Sequence, residues 1–340
     1  MIDNRKGAIL IASLWILIIL SILALGIGFR VSIEARLAKY NMDRLRALYL
    51  AKAGVVKSIY RLSKYPAACD SIYECGTAFS FEEKSDQGKI NAIFNEPVPG
   101  GFFSVAYKEG GIIYPGMSDE ERKININTAS ENVLKNILVY AGEEPTIASS
   151  IVQWRSQGPG LDDGYYEALP GPYKCKHERF SAPEELLLVK GVTRKIFDKV
   201  SPYITVFGNP DPAKFAVNIN TAPKPVLSAL IMADASPNAP IDKTSAEIYA
   251  DRIITSRNGN DGRSGTKDDA PTTDIYAMLK YALQNDTQAA NLTKDFTTSS
   301  KYFRIESQGM IDKTKVGTRI VCIVQKDQGK APVLKSYREY

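Results

Sequence analysis

Residues 8–29 read AILIASLWILIILSILALGIGF, a run with no charge and no proline. About 20 apolar residues are what a helix needs to cross the hydrocarbon core of a bilayer. Arg5 and Lys6 stand before the run and favour a cytoplasmic N-terminus, although Arg30 and Arg36, with Glu34 between them, weaken that bias. From Val31 to Lys64 there is no proline, and the only glycine is Gly54. Leu37, Tyr40, Leu45, Leu48, Tyr49, Val55, Val56, Ile59 and Leu62 recur at helical spacing, with Arg, Lys, Glu and Asp filling the other face. The spacing predicts one helix from Ala8 to Lys64, ended by Pro66 and roughly 85 Å long. A bilayer uses less than half of that length. The outer part must therefore stand outside the membrane with its stripe covered. A cleaved secretory signal would have a shorter apolar stretch and a clean Ala-x-Ala site, and neither is present.

The chain has 340 residues, 44% of them hydrophobic and 24% charged, the proportions of a folded protein with room for two compact units beyond the anchor. A net charge of +5 with mixed signs says little about nucleic acid. Cys69 and Cys75 are spaced to close a small disulfide loop in an oxidising compartment. Cys175 and Cys322 either form a second bridge or remain buried thiols. No CxxC pair occurs and His177 is the only histidine, which argues against a zinc site of the His/Cys type.

Between Pro66 and Asp119 the signals turn to strands. Phe102–Tyr107 and Ile112–Tyr114 flank Gly110-Gly111 as a hairpin, and Tyr302–Met310 and Thr318–Val324 flank a turn at Asp312–Lys315. A sheet drawn from distant parts of the chain makes residues 121–300 an insertion between 65–120 and 301–327. The polar tail 328–340 is expected to fray. The insertion carries an internal repeat, KININTASENVLKNIL from Lys123 (123–138) and AVNINTAPKPVLSALIM from Ala216 (216–232). Each copy is followed by a helical stretch ending in an arginine, SSIVQWRS from Ser149 and ADRIITSRN from Ala250. Thr128 and Thr221 are the expected N-caps, Pro223 opens the second helix, and Ser181 with Glu184 or Glu185 suits a capping box.

These features resemble a known family. A leader ending Arg-Lys-Gly, then Ala8 and an apolar helix, is similar to the type IV prepilin class. The resemblance implies a leader of residues 1–7, cleavage after Gly7 by a membrane aspartic peptidase, and methylation of Ala8. Pilins carry a glutamate at the fifth residue after the cut; here Ala12 stands there, so the carboxylate expected to pair with a neighbouring N-terminal amine is missing. That departure, with NINTA twice, QWR, DDGYYEALPGPYKCK and FSAPEELLLVKGVT in order, resembles the K-type minor pseudopilins of the type II secretion system. The implied fold is α+β: a pilin-like long N-terminal helix (8–64) on a small antiparallel sheet, with a large, mostly α-helical, SAM-like or helix-hairpin-helix-like insertion. The implied role is assembly at the pseudopilus tip, single-pass in the inner membrane with the head in the periplasm. The implied partners are the I- and J-type minor pseudopilins, the inner-membrane assembly platform and the prepilin peptidase.

The NINTA units also resemble helix-hairpin-helix modules, which makes a membrane-tethered DNA-uptake protein the alternative. Such modules grip phosphate through Gly-apolar-Gly turns; here the turns read Val139–Pro145, with Glu143 and Glu144, and Ala233–Pro237. The loop from Asn258 to Asp269, continuing to Asp274, is dense in oxygen ligands of the kind calcium takes. With the family's description as calcium-binding, it makes Asp261, Asp268, Asp269 and Asp274 the expected ligands, and Asp162-Asp163 a weaker candidate. No phosphate loop, Gly-x-Ser-x-Gly or Cys/His dyad points to catalysis, so the chain is not expected to be an enzyme.

Overall fold

The computed structural model describes residues 5–64, 95–109, 111–233, 241–266, 268–327 and 329–340. The Cys69–Cys75 loop lies outside them. Helix α1 spans Arg5–Lys64. Its apolar part, with a mean hydropathy of 2.8 over its most apolar window, is exposed throughout. Toward its end, small residues make a flat face: Ala47, Ala51, Gly54 and Ser58 are buried, followed by Leu62.

That face lies on a seven-stranded antiparallel sheet in the order β1-β2-β9-β10-β11, with β3 beside β2 and β4 beside β9. The strands are β1 (Asn95–Val98), β2 (Gly101–Glu109), β3 (Ile112–Pro115), β4 (Ser118–Asp119), β9 (Tyr302–Ile311), β10 (Gly317–Gln325) and β11 (Val333–Glu339). Alternation along β9 sends Phe303 and Ile305 inward, where they meet Phe103, Val105, Ile320, Cys322 and the helix residues Val55 and Leu62. The tail expected to fray instead forms β11, paired with β10 from Ile320↔Glu339 to Gln325↔Val333. Its polarity misled because an edge strand is held by backbone hydrogen bonds. Lys52–Glu339 (3.3 Å) and the Arg338–Glu184 pair tie it to α1 and to the insertion.

The insertion has a separate core. Its first half contains β5 (Ile124–Asn125), α2 (Glu131–Tyr140), α3 (Ile147–Arg155), α4 (Asp163–Glu167), a 3-10 turn (Pro183–Leu188), α5 (Arg194–Val200) and β6 (Ile204–Thr205). The second contains β7 (Val217–Asn218), α6 (Lys224–Ala233), α7 (Lys243–Arg257), α8 (Ile275–Leu283), α9 (Asp286–Leu292) and β8 (Phe296–Thr297). The repeat is structural as well as textual. Each half closes with a parallel two-residue pairing, β5 with β6 and β7 with β8. Asn125 Oδ1 accepts from Asn127 N, as Asn218 Oδ1 does from Asn220 N. Asn127 exchanges two hydrogen bonds with the Phe180 backbone, and Asn220 does the same with Thr272. Arg155 donates to the carbonyls of Ile126 and Ala129, and Arg257 to those of Ile219 and Ala222. NINTA is thus a side-chain-locked turn, and the distant arginine of each unit holds its carbonyls.

This use of NINTA corrects the expected caps. Ser130, not Thr128, caps α2 through Val133 N (3.3 Å), and Thr221 Oγ1 donates to Asp119 instead of capping α6. Pro223 does open α6, its carbonyl accepting from Val226 and Leu227. At Ser181 half a capping box forms: Glu185 accepts from Ser181 N at 3.0 Å, while Ala182 caps the 3-10 turn.

Candidate functional site

The apolar stripe read along α1 is in fact two. Val55 and Leu62 are buried on the sheet. Ile27, Val31, Met42, Leu45, Tyr49, Val56 and Tyr60 are all at least half exposed and, at 100° per residue, share one other face. Ile27, Tyr49 and Tyr60 fall on one eleven-residue spacing and Leu45 and Val56 on another, a period under which a helix face stays nearly straight. An uncovered apolar face that continues out of the membrane segment marks an interaction surface. Leu37 and Tyr40, also exposed, lie instead on the side of the helix that Val55 and Ser58 bury farther along. Ala12 is exposed on the membrane part, and Gly7 and Ala8 lie within α1.

A second feature was not singled out in the sequence, although the five consecutive charges of residues 119–123 signal it. Asp119, Glu120, Glu121 and Arg122 sit where the chain leaves the sheet, and each ties down a different segment. Asp119 Oδ2 accepts from Asn218 Nδ2 (3.0 Å), Thr221 Oγ1 (2.5 Å) and Ser300 Oγ (2.6 Å), joining the exit of the insertion to its return. Glu120 accepts from Thr205 Oγ1 at 2.8 Å and from Lys123 at 3.1 Å. Glu121 accepts from the Lys301 and Tyr302 amides. Arg122 grips Glu109 with both terminal nitrogens, at 2.6 and 2.8 Å.

Burial, outweighing its hydrogen bonds, raises the Asp119 pKa. Burial and then the Asp119 charge push Glu121 up to about 7. A carboxyl whose folded pKa exceeds its unfolded one contributes stability that is complete at acid pH and lost as pH rises through the folded value. The head is therefore expected to lose up to about 3 kcal/mol between roughly pH 5 and pH 7.5. Glu121→Gln should flatten that slope in urea melts; an unchanged slope would mean Glu121 is not the titrating group.

The loop acids are not gathered into one ligand set. Asp274 caps α8 through Ala277 N. Asp269 accepts from Gly265 N and Thr266 N. Asp268 takes Asp261 N (2.9 Å) and Thr266 Oγ1 (2.7 Å), and Asp261 takes Arg263 N. Asp261 and Asp268 are thus neighbours of suitable donor chemistry; Asp269 and Asp274 are occupied elsewhere in the loop and helix. Asp162 pairs with Lys190 at 2.6 Å, and Asp163 faces His177 at 3.0 Å, so these two acids diverge. Cys175 and Cys322 are both free and buried in different cores, the insertion's and the sheet's, so they do not bridge. In the first hairpin turn Glu143 pairs with Lys199, which leaves an acidic turn where phosphate would need free N–H groups.

A long helix, apolar in its first half and laid on an antiparallel sheet in its second, with an exposed second stripe, fits a single-pass membrane anchor that carries a folded head. Residues 117–210 match the family model described as "Type II secretion system (T2SS), protein K". Type II secretion system protein K of Aeromonas hydrophila is 30% identical over 131 residues, covering 37% of each chain. That of Pectobacterium carotovorum is 26% identical over 184 residues, covering 46% of this chain and 54% of its own. The chain thus spans about a third to a half of these curated relatives. A chain of the crystal structure of the GspK-GspI-GspJ complex from enterotoxigenic Escherichia coli has the same fold. Its TM-score is 0.59 at 13% identity, over 89% of this chain and 99% of that one. Over residues 117–210 the chain is thus similar to the type II secretion system protein K domain, and the two curated relatives carry the same description.

Proposed function

We propose that this chain is a minor pseudopilin at the tip of the type II secretion pseudopilus, helping to start and cap its assembly for export of folded proteins. The observation that carries this reading is the exposed apolar face of α1 from Ile27 to Val56, continuous with the apolar first half of the helix. A rod with one face on its own head and another bare is built to lie beside other rods. The helical insertion widens the head beyond its shaft, and a wide head suits an end position. Ala12 supports this: without a carboxylate there, the subunit makes no charged demand on a neighbour's N-terminus. The partners proposed are I- and J-type pseudopilins, in keeping with the complex that contains the structural neighbour. The anchor is proposed to sit in the inner membrane with the head in the periplasm. Maturation is by the prepilin peptidase between Gly7 and Ala8, followed by methylation, and assembly is on the inner-membrane platform. No reaction is proposed for the chain itself.

Co-expression with I- and J-type partners tests the assembly. Tyr49→Asp together with Val56→Asp, both at exposed positions, should abolish co-purification and leave the melting temperature of the head unchanged. Recovery of the full complex would sink the reading. Calcium is proposed for the Asn258–Asp269 loop, with Asp261 and Asp268 as its carboxylates. Chelation should lower the melting temperature of the full chain by a few degrees, and an unmoved midpoint discards the ion.

A further inference from the structure

Residues 156–178 bring together a cluster that the proposed assembly role does not use. His177 Nδ1 lies 3.1 Å from the carbonyl oxygen of Ser156. A carbonyl only accepts, so in a neutral imidazole Nδ1 carries the hydrogen and Nε2 presents a lone pair. Facing Nε2 at 3.0 Å is Asp163 Oδ1, a carboxylate oxygen shielded from solvent that accepts no hydrogen bond. Two lone pairs held at this distance call for a cation between them, either a second proton on the ring or a metal ion.

The third member of the cluster selects between these. The ligand atoms of Asp163, Cys175 and His177 all lie within 4.8 Å of one another. Around a tetrahedral zinc ion, with bonds of about 2.0–2.3 Å, ligand atoms stand roughly 3.3–3.8 Å apart, so a small contraction completes the set. Burial pushes the Cys175 thiol above its usual range, and the backbone amides of His177 and Lys176 only partly offset this, so it is the ion's own charge that would hold the thiolate. A ring nitrogen donating to a backbone carbonyl while the other faces outward is how a metal-bound histidine is held. His177 keeps this pose at φ +50, a left-handed conformation uncommon for a residue other than glycine. Beside the cluster Gly160 leaves room: a Cβ there would stand 3.5 Å from Asp163 Oδ1 and 3.6 Å from His177 Cε1.

We propose that Asp163, Cys175 and His177 form a binding site for a divalent transition ion of the zinc type, with its fourth position open on the Gly160 side. Binding releases the Cys175 thiol proton to solvent. The two anionic ligands then balance the +2 charge, which suits a partly buried site. Sulfur and nitrogen donors exclude calcium here and separate this site from the acidic loop. The ion would clamp the start of α4 to the 172–178 segment and so fasten the long surface loop to the core.

The test uses the full-length chain in detergent, stripped with chelator and titrated with cobalt in the presence of excess calcium. One equivalent is expected to give sulfur-to-cobalt charge-transfer absorption and tetrahedral visible bands, both erased by zinc. Cys175→Ser should remove the charge-transfer absorption. His177→Gly relieves the backbone strain, so the chain should fold as well as before while cobalt affinity falls at least about a hundredfold. Absence of the sulfur band in the unaltered chain assigns the His177–Asp163 contact to a protonated ring and overturns the site. So does a band that survives Cys175→Ser, which would belong to other thiols.

Discussion

Gly309→Ala is expected to detach α1 from the sheet. A Cβ at Gly309 would lie 2.0 Å from the Ala47 carbonyl oxygen and 2.6 Å from the Ala51 nitrogen. Both atoms are backbone of a continuous helix, so neither can swing aside as a side-chain tip could. The helix meets the clash from its other side with residues already minimal in size, Ala47, Ala51 and Gly54; a Cβ at Gly54 would come 2.2 Å from Ser307 Oγ. Relief requires lifting the helix, and with it Val55 and Leu62 from the core they share with Phe103, Ile305 and Cys322. Overpacking costs about 1–3 kcal/mol where side chains can adjust and more where only backbone is available, against a total stability of about 5–15 kcal/mol. Thermal melts of Gly309→Ala and Gly317→Ala make the comparison. A Cβ at Gly317 would meet its nearest atom at an ordinary 3.4 Å, so that variant should behave as the parent. Equal melting of all three would refute the packing described.

Arg257→Leu should be nearly as damaging, and in the insertion alone. Arg257 is 5% exposed, and its guanidinium donates to the carbonyls of Ile219 (2.6 Å) and Ala222 (2.7 Å) in the second NINTA turn. Burial, the leading cause, pulls its pKa down to about 9, a cost that the two carbonyls and the nearby Glu109 and Asp269 carboxylates offset. Without it two buried carbonyls lose their donor, a loss of about 3–5 kcal/mol. Arg257→Lys should not rescue, because an ammonium cannot span both oxygens with a planar fork. The equivalent Arg155 is less buried, with its pKa lowered to about 10, and Arg155→Leu should cost roughly half as much. The ranking of the two in urea denaturation checks the pseudo-symmetry; the reverse order would break it.

How legible this was from sequence depended on range. The length of α1, the hairpin at Gly110-Gly111 and the pairing of Tyr302–Met310 with Thr318–Val324 follow from periodicity and turn residues, which act locally. The repeat was visible because NINTA recurs in text, and its terminal arginines stood out by position. Their purpose did not, since Arg155 reaches back to Ile126 and Ala129 and no local pattern records that contact. The capping roles given to Thr128 and Thr221 failed for the same reason: Thr221 serves Asp119, which lies 102 positions away in sequence. Strand β11 was missed because its apolar content is low and its partner supplies the order. At the candidate sites, counting ligand-type residues located the acidic loop. It could not foresee that Asp274 would be used as a helix cap, or that Asp163 would join Cys175 and His177.

The register of β2 on β9 matches Gly101 with Ile311, some 210 positions later. A ribosome adding about 5–20 residues per second makes that interval last roughly 10–40 s. Throughout it the first strands and the outer part of α1 must wait, while the insertion, whose core draws only on residues 124–296, can finish by itself. The keystone of the sheet is thus its last-delivered portion. A nascent chain of this kind would have its middle folded while its platform is still open, a natural moment for a chaperone or a sister subunit to take hold.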